Sequence, residues 1–411
     1  MRFRLPLTLS ILALASVVSA APAAQSVPRP MLLRWTDATP DAMVDDAVAR
    51  ATASNENERS RAAAIATIAA LAERARGDHA KDALAEIAAT PSVPVDLRAE
   101  ASLVERTLAP DEGTEDGGRA DRALGVADEL WMLGPFRDTG GGIEARDGPE
   151  IAGSPFNPKA DYSWGSYEVA WRKVPREFAS ARGIPLDLFV FPRTESCTWV
   201  ATHLIARDRQ SLTLYGAATG QVRLVFDGAE IARDESVHES ALFDRIAARV
   251  DIDAGEHLLS AKVCSGALAD KGRVRLRVTN AAGKWPEGVL AEPRLWDKAP
   301  VPAKRLTVRS VTTPLGRAIG KPSSDVDGRL QEAILRTLGG ADDLRSPRAP
   351  GILAALSEGP LDPDRLAMAA WIAPSGANRS AWLNHARSAA DAGTRAFVDR
   401  RLVERHLDAQ L

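Results

Sequence analysis

Ser211-Leu212-Thr213-Leu214-Tyr215-Gly216-Ala217, then Thr219-Gly220, then Val222-Arg223-Leu224-Val225-Phe226 and Asp227-Gly228, is the stretch that decides the fold class. Apolar residues alternate with polar ones at a period of two, and turn-forming pairs interrupt the alternation after five to seven residues. That rhythm specifies strands that bury one face. Moving outward, Thr198 to Ala206, Ile246 to Ile252, His257 to Cys264 and Val274 to Thr279 repeat it, with Asp208-Arg209 and Ala254-Gly255 as further turns. Short antiparallel strands at this spacing predict a β-sandwich or jelly roll over residues 129–298.

The flanks carry the helical period instead. Thr39-Pro40-Asp41 supplies an N-cap, a first-turn proline and an early acid. Stripes follow through Ile65, Ile68 and Ala72, then Leu84 and Ile87, then Leu97, Val104 and Leu108. Residues 39–128 therefore read as helical hairpins without a fixed repeat period, and the acidic, glycine-rich run Glu112 to Gly118 as a domain boundary. Residues 299–323 read as a proline-rich linker. Helix returns over residues 324–411, through Leu330, Ile334 and Leu338, then Leu366, Ala370 and Trp371, and the last stripe runs from Thr394 to Leu407. The expected fold class is multidomain α and β: a helical-repeat segment, an antiparallel β-sandwich of jelly-roll type, and a second helical-repeat segment.

Composition narrows the function. The chain has 411 residues, 45% hydrophobic and 26% charged, with a formal net charge of −3. No basic excess exists to hold a polyanion, so nucleic acid is not an expected partner. Arg2 and Arg4 precede an apolar run from Leu5 to Val18, and Val18-Ser19-Ala20 ends in small residues. This pattern is a signal peptide over residues 1–20, followed by a linker at 21–38. The run is shorter than a membrane span of about 20 residues. A periplasmic or secreted chain with no membrane span in its mature part is expected.

Trp131-Met132-Leu133-Gly134-Pro135-Phe136, Phe156-Asn157-Pro158 and Tyr162 resemble the opening of sandwich modules in large exported myxobacterial proteins. Those proteins join such modules to tetratricopeptide-type helices. Trp199 to Thr202, Val222 to Gly228 and Asp253 to Leu259 are similar to a galactose-binding-like jelly roll. The resemblance covers about 150 residues and implies a fold more than a function. Asp227 and His257 stand where that fold usually has asparagine, so no ligand contact carries over. Neither does transglutaminase chemistry, because no Cys-His-Asp pattern follows.

Few residues offer chemistry. Cys197 and Cys264, 67 positions apart, form a disulfide candidate in an oxidising compartment, with two reduced core cysteines as the alternative. None of the six histidines forms a close ligand pair, so no metal centre is expected. Asp251, Asp253 and Glu256, and separately Asp325 and Asp327 before Gly328, offer the oxygen ligands of a structural calcium without completing an EF-hand loop. Gly140-Gly141-Gly142 lacks the Lys-Ser/Thr ending of a phosphate loop. Trp164, Tyr167 and Trp171 lie ahead of the strands, where aromatic faces suit sugar stacking. Strand parity puts Arg273, Arg275 and Arg277 on one sheet face, joined by Arg223 and Lys262 if the strands are neighbours. Such a basic face would suit an acidic surface.

These features favour an exported non-catalytic scaffold or binding protein, without cofactor, whose sandwich recognises a glycan or an envelope protein. The alternative is a cell-envelope polysaccharide-processing hydrolase with its site between sandwich and helices, for which two opposed carboxylates in a deep cleft would be diagnostic.

Overall fold

The computed structural model describes residues 39–389 apart from 110–112, 139–141, 152–155, 165–166, 266–271, 299–305, 321, 358–362 and 374–376. The signal peptide and linker read at residues 1–38, and the stripe after Thr394, lie outside the described residues.

Five helices open the described chain: α1 Pro40–Thr52, α2 Glu58–Leu71, α3 His79–Ala89, α4 Val95–Thr107 and α5 Glu115–Ala123. Local chemistry starts them. Thr39 Oγ1 accepts from Ala42 N–H, Asn57 Oδ1 from Ser60 N–H, and Thr114 Oγ1 from Gly117 N–H, so each first turn has a side-chain cap. α5 begins at Glu115, inside the run read as a domain boundary.

The strands follow: β1 Trp131–Arg137, β2 Tyr162–Trp164, β3 Tyr167–Val169, β4 Arg172–Lys173, β5 Ile184–Pro185, β6 Ser196–Ala206, β7 Gln210–Ala218, β8 Gly220–Phe226, β9 Ala229–His238, β10 Ile246–Ile252, β11 Gly255–Cys264, β12 Arg273–Thr279, β13 Val289–Ala291 and β14 Thr307–Val311. All pairings are antiparallel. A seven-stranded sheet runs β4-β1-β6-β11-β8-β9, with β13 also on β6, and a five-stranded sheet runs β14-β10-β7-β12-β5. Leu212, Leu214, Val250, Val274, Leu276 and Val278 from the smaller sheet share one apolar core with Val200, Leu204, Leu224, Phe226, Leu259 and Val263 from the larger.

Of the turns read in the sequence, only Asp227-Gly228 closes a tight hairpin. Both residues have positive φ (49° and 80°), the conformation a two-residue turn needs to match strand twist. Thr219-Gly220 does something different: it carries the chain from β7 in one sheet to β8 in the other. Gly220 (φ +84°) is required there, because a Cβ would stand 2.1 Å from the Cys264 carbonyl oxygen.

Past the sheets come α6 Pro314–Ile319, α7 Val326–Thr337, α8 Ala349–Ser357, α9 Pro363–Ile372 and α10 Ala377–Ala389. The region read as a linker, 299–323, thus contains both β14 and α6. The two helical segments also share a single apolar core, in which Ile65, Ile68, Leu84 and Leu97 meet Leu330, Ile334, Leu353 and Leu366. Arg59 Nε donates to the Ala318 carbonyl at 2.7 Å, and Arg317 pairs with Glu58 at 2.6 Å, tying α2 to α6. Among the described residues no helix is long and apolar enough to cross a membrane.

Candidate functional site

Cys197 and Cys264 are direct register partners on β6 and β11 and form the disulfide, with S–S 2.02 Å. Among the described residues one group of metal-type donors gathers, Asp138 with these two cysteines, and both sulfurs are already bonded to each other. The acidic turns have other partners. Asp251 pairs with Arg309 at 2.9 Å, Asp253 with Arg209 at 3.6 Å and Glu256 with His203 at 3.5 Å, while Asp325 caps α7 by accepting from Gly328 N–H.

The basic row requires correction. Its members fall on two different sheets, and four of the five are buried rather than solvated. Arg223 and Lys262 are register partners on β8 and β11. Both lie near the ring of Trp199, at 5.8 and 5.9 Å from its centroid, with Arg223 paired to Glu150 and Lys262 to Asp147. Arg275 and Arg277 do share the outer face of the five-stranded sheet, but the connections at Leu124, Ala181 and Leu242 to Asp244, with Glu100 of α4, cover that face at β12. Parity fixes which side a residue takes and says nothing about what is stacked upon that side.

Of the aromatic residues read as sugar platforms, Trp164 and Tyr167 are register partners on β2 and β3. Trp171 is only 7% exposed and packs edge-to-face on Trp296 at 4.9 Å. Its ring belongs to the apolar cover over the seven-stranded sheet, with Phe136, Phe156 and Trp199, so it offers no open face for stacking.

The most constructed polar site lies elsewhere, where α4 meets the outer face of the five-stranded sheet. Asp244, fully buried, binds Arg275 at 3.1 Å and also pairs with Arg277. Arg275 donates further to the carbonyls of Ala181 (2.6 Å) and Leu242 (3.2 Å), and Arg277 Nε to that of Leu124 (2.9 Å). The Arg277 guanidinium lies 5.1 Å from the Tyr215 ring centroid. Two cations surround one anion, each with carbonyl acceptors, which is how buried charge is made tolerable.

Glu100 enters this cluster from α4. It is 2% exposed, accepts from the Asp244 backbone N–H, and has one carboxyl oxygen, Oε2, without a protein partner. Burial, reinforced by the neighbouring Asp244 carboxylate, pushes its pKa up to about 8 against the pull of Arg277 and Arg275. The carboxyl is therefore mainly protonated at neutral pH. Burial and Asp244 likewise push Tyr215 up to about 12, so its phenol stays protonated.

Beside this cluster opens a cavity of about 330 Å³. Val95, Asp96, Ala99 and Glu100 of α4 line one wall, and Thr213, Tyr215, Arg249 and Arg277 of the sheet line the other. Asn280, Gly283 and Arg317 complete it. Arg317 is anchored by Glu58 and Asp96. Arg249 is exposed on β10 between Thr213 and Arg309.

Glu100, Asp244, Tyr215 and Arg249 were not singled out from the sequence. One signal was present: Glu100 stands three residues after Leu97 and four before Val104, inside the buried stripe of α4. A carboxyl on an apolar helix stripe marks a group whose ionisation the fold controls. Asp244 has no such signal, because it lies in the connection between β9 and β10. No family model, no curated protein and no solved structure matches this chain.

Proposed function

We propose that this protein is an exported, non-catalytic binding protein. On this reading its sheets form a jelly roll of the galactose-binding type, and its helical hairpins act as a scaffold closing one side of a ligand cleft. The observation that carries the proposal is the cavity between α4 and the five-stranded sheet, walled by a neutral carboxyl, a phenol and guanidinium groups. Its volume lies at the lower end of ligand pockets, which span about 300–1,000 Å³, and so suits a small saccharide better than an extended chain. Trp164 and Tyr167 remain the proposed stacking residues of a second glycan contact.

The test is saturable binding of the full chain to a glycan panel, repeated with Val95→Trp. Val95 lines the cavity and is 49% exposed, so an indole there fills the cleft without disturbing a core. Binding abolished by Val95→Trp supports the reading. Binding that survives it and disappears with Trp164→Ala and Tyr167→Ala moves the site to the β2–β3 hairpin.

One observation favours the hydrolase reading: Glu100 is a protonated carboxyl at neutral pH, as a general acid must be. Among the described lining residues the second carboxylate, Asp96, stands one turn earlier on the same helix and pairs with Arg317. A glycosidase needs its two carboxyls on opposite sides of the scissile bond. Release of reducing ends from envelope polysaccharide, lost in Glu100→Gln, would reverse the preference.

A further inference from the structure

We infer that the cleft between α4 and the five-stranded sheet takes a sugar acid, its carboxylate on Arg249 and a neutral ring or hydroxyl oxygen on the Glu100 carboxyl. The inference rests on the cleft being a ligand site and adds the chemical class of the ligand.

The lining groups differ in what they have left to offer a ligand. Arg317 is held by Glu58 and Asp96, and Arg277 shares the Asp244 carboxylate with Arg275, so neither guanidinium lacks an anionic partner. Arg309, beside Arg249 on β14, is held by Asp251. Arg249 has no carboxylate partner among the described residues, and it stands exposed on the cavity wall. Glu100 offers the matching feature at the buried end: an oxygen without a protein partner on a carboxyl that burial keeps protonated, hence an O–H donor. Asn280 points the same way. Its Oδ1 accepts from Ala282 and Lys284 N–H at 2.9 and 3.2 Å, leaving the amide N–H groups as its remaining function. The unsatisfied groups are donors, with one guanidinium at the open side. A ligand that satisfies them is rich in acceptors and carries one anion; a guanidinium binds a planar carboxylate by two parallel hydrogen bonds. A neutral saccharide leaves Arg249 unused. A cationic ligand meets Arg249 with like charge.

The experiment uses calorimetry on the full chain at neutral pH with digalacturonate and trigalacturonate, their methyl esters, and a sulfated disaccharide. Expected are saturable binding of the free acids, at least tenfold weaker binding of the esters, loss of that preference in Arg249→Gln, and no binding in Val95→Trp. Sulfated sugar binding more tightly than the uronates overturns the assignment of a carboxylate. Esters and acids binding equally, with both abolished by Val95→Trp, overturns the sugar-acid inference and leaves the cleft as the site. Binding unaffected by Val95→Trp removes the cleft reading together with the inference, whereas no binding of any of these sugars overturns the sugar-acid inference alone and leaves the cleft to the glycan panel.

A second arm addresses Glu100. The groups facing it are Asp244 and Arg245 at the end of the β9–β10 connection, Arg275 and Arg277 on β12, Tyr215 on β7 and Asp96 on its own helix; burial lowers Arg245 to about 10. Above about pH 9 the wild-type carboxyl ionises and uronate binding weakens, whereas Glu100→Gln retains it. Equal pH profiles for the two proteins refute the donor role of Glu100.

Discussion

Substitution of Glu100 by glutamine is expected to make the protein more stable at alkaline pH and to leave it almost unchanged at acid pH. Glutamine keeps the shape of the side chain, the acceptor for the Asp244 N–H and a donor in place of the carboxyl O–H, but it cannot ionise. In the wild type the folded carboxyl titrates near 8 while an unfolded glutamate titrates near 4.5. Between these values the unfolded chain releases a proton that the folded chain holds. The stabilisation is therefore complete below about pH 4.5, declines as pH rises, and is gone above about pH 8. At about 1.4 kcal/mol per pH unit, that interval amounts to about 5 kcal/mol. Urea unfolding followed by tryptophan fluorescence, for both proteins from about pH 5 to about pH 9, reads the difference directly. The variant should gain on the wild type steadily across this range, by several kcal/mol at the alkaline end. Parallel stability profiles would refute the reasoning, since they would mean that Glu100 titrates alike in the folded and unfolded chain.

Three further outcomes follow from neighbouring parts of the structure. Asp244→Asn leaves Arg275 and Arg277 buried without their shared anion and should cost about 3–5 kcal/mol, whereas Asp251→Asn, which loses the exposed partner Arg309, should cost less than about 1 kcal/mol by the same urea midpoints. Replacing Cys197 and Cys264 together by alanine opens a loop spanning 67 positions and should lower stability by about 4 kcal/mol, measured against the oxidised wild type. Burial alone would lower the His257 pKa, but Asp227 at 2.7 Å and the Asp253 carbonyl at 3.0 Å each accept from a ring nitrogen and raise it overall. Its stabilisation is thus present in full below about pH 6.5 and lost as pH rises through the higher folded value, which an NMR titration of His257 should show moving back down in Asp227→Asn.

How much of this was readable beforehand can be judged element by element. The period-two alternation placed β7, β8, β10, β11 and β12 within a residue or two, because inward residues such as Leu212, Leu214 and Leu276 must alternate with outward ones to share a core. The capped helix start at Thr39 was equally legible, since a cap is a contact across three residues, whereas Asp325, read as a calcium-type ligand, caps α7 instead. The Asp227-Gly228 hairpin was legible for the same reason of locality, as both residues must adopt positive φ. Harder to read were β14 and α6 inside a proline-rich segment, where strand and helix are held by partners far away in the chain.

Amino-acid order alone determined the short-range content of this protein: where helices begin, where strands alternate, which turn folds back on itself, and which two cysteines were available to pair. Tertiary structure decided what lies on each outer face, and with it the chemistry. Arg275 and Arg277 occupy the side of β12 that parity assigned them, yet the connections packed over it turn that side into an interior and set both charges on Asp244. Trp171 is an aromatic residue in either view, and only its contact with Trp296 makes it core. Glu100 becomes a neutral donor only because packing removes it from water beside another carboxylate. Backbone preferences act over a few residues and can be read in order. Desolvation and charge pairing depend on which surfaces meet, and in this chain those surfaces come from segments more than a hundred residues apart.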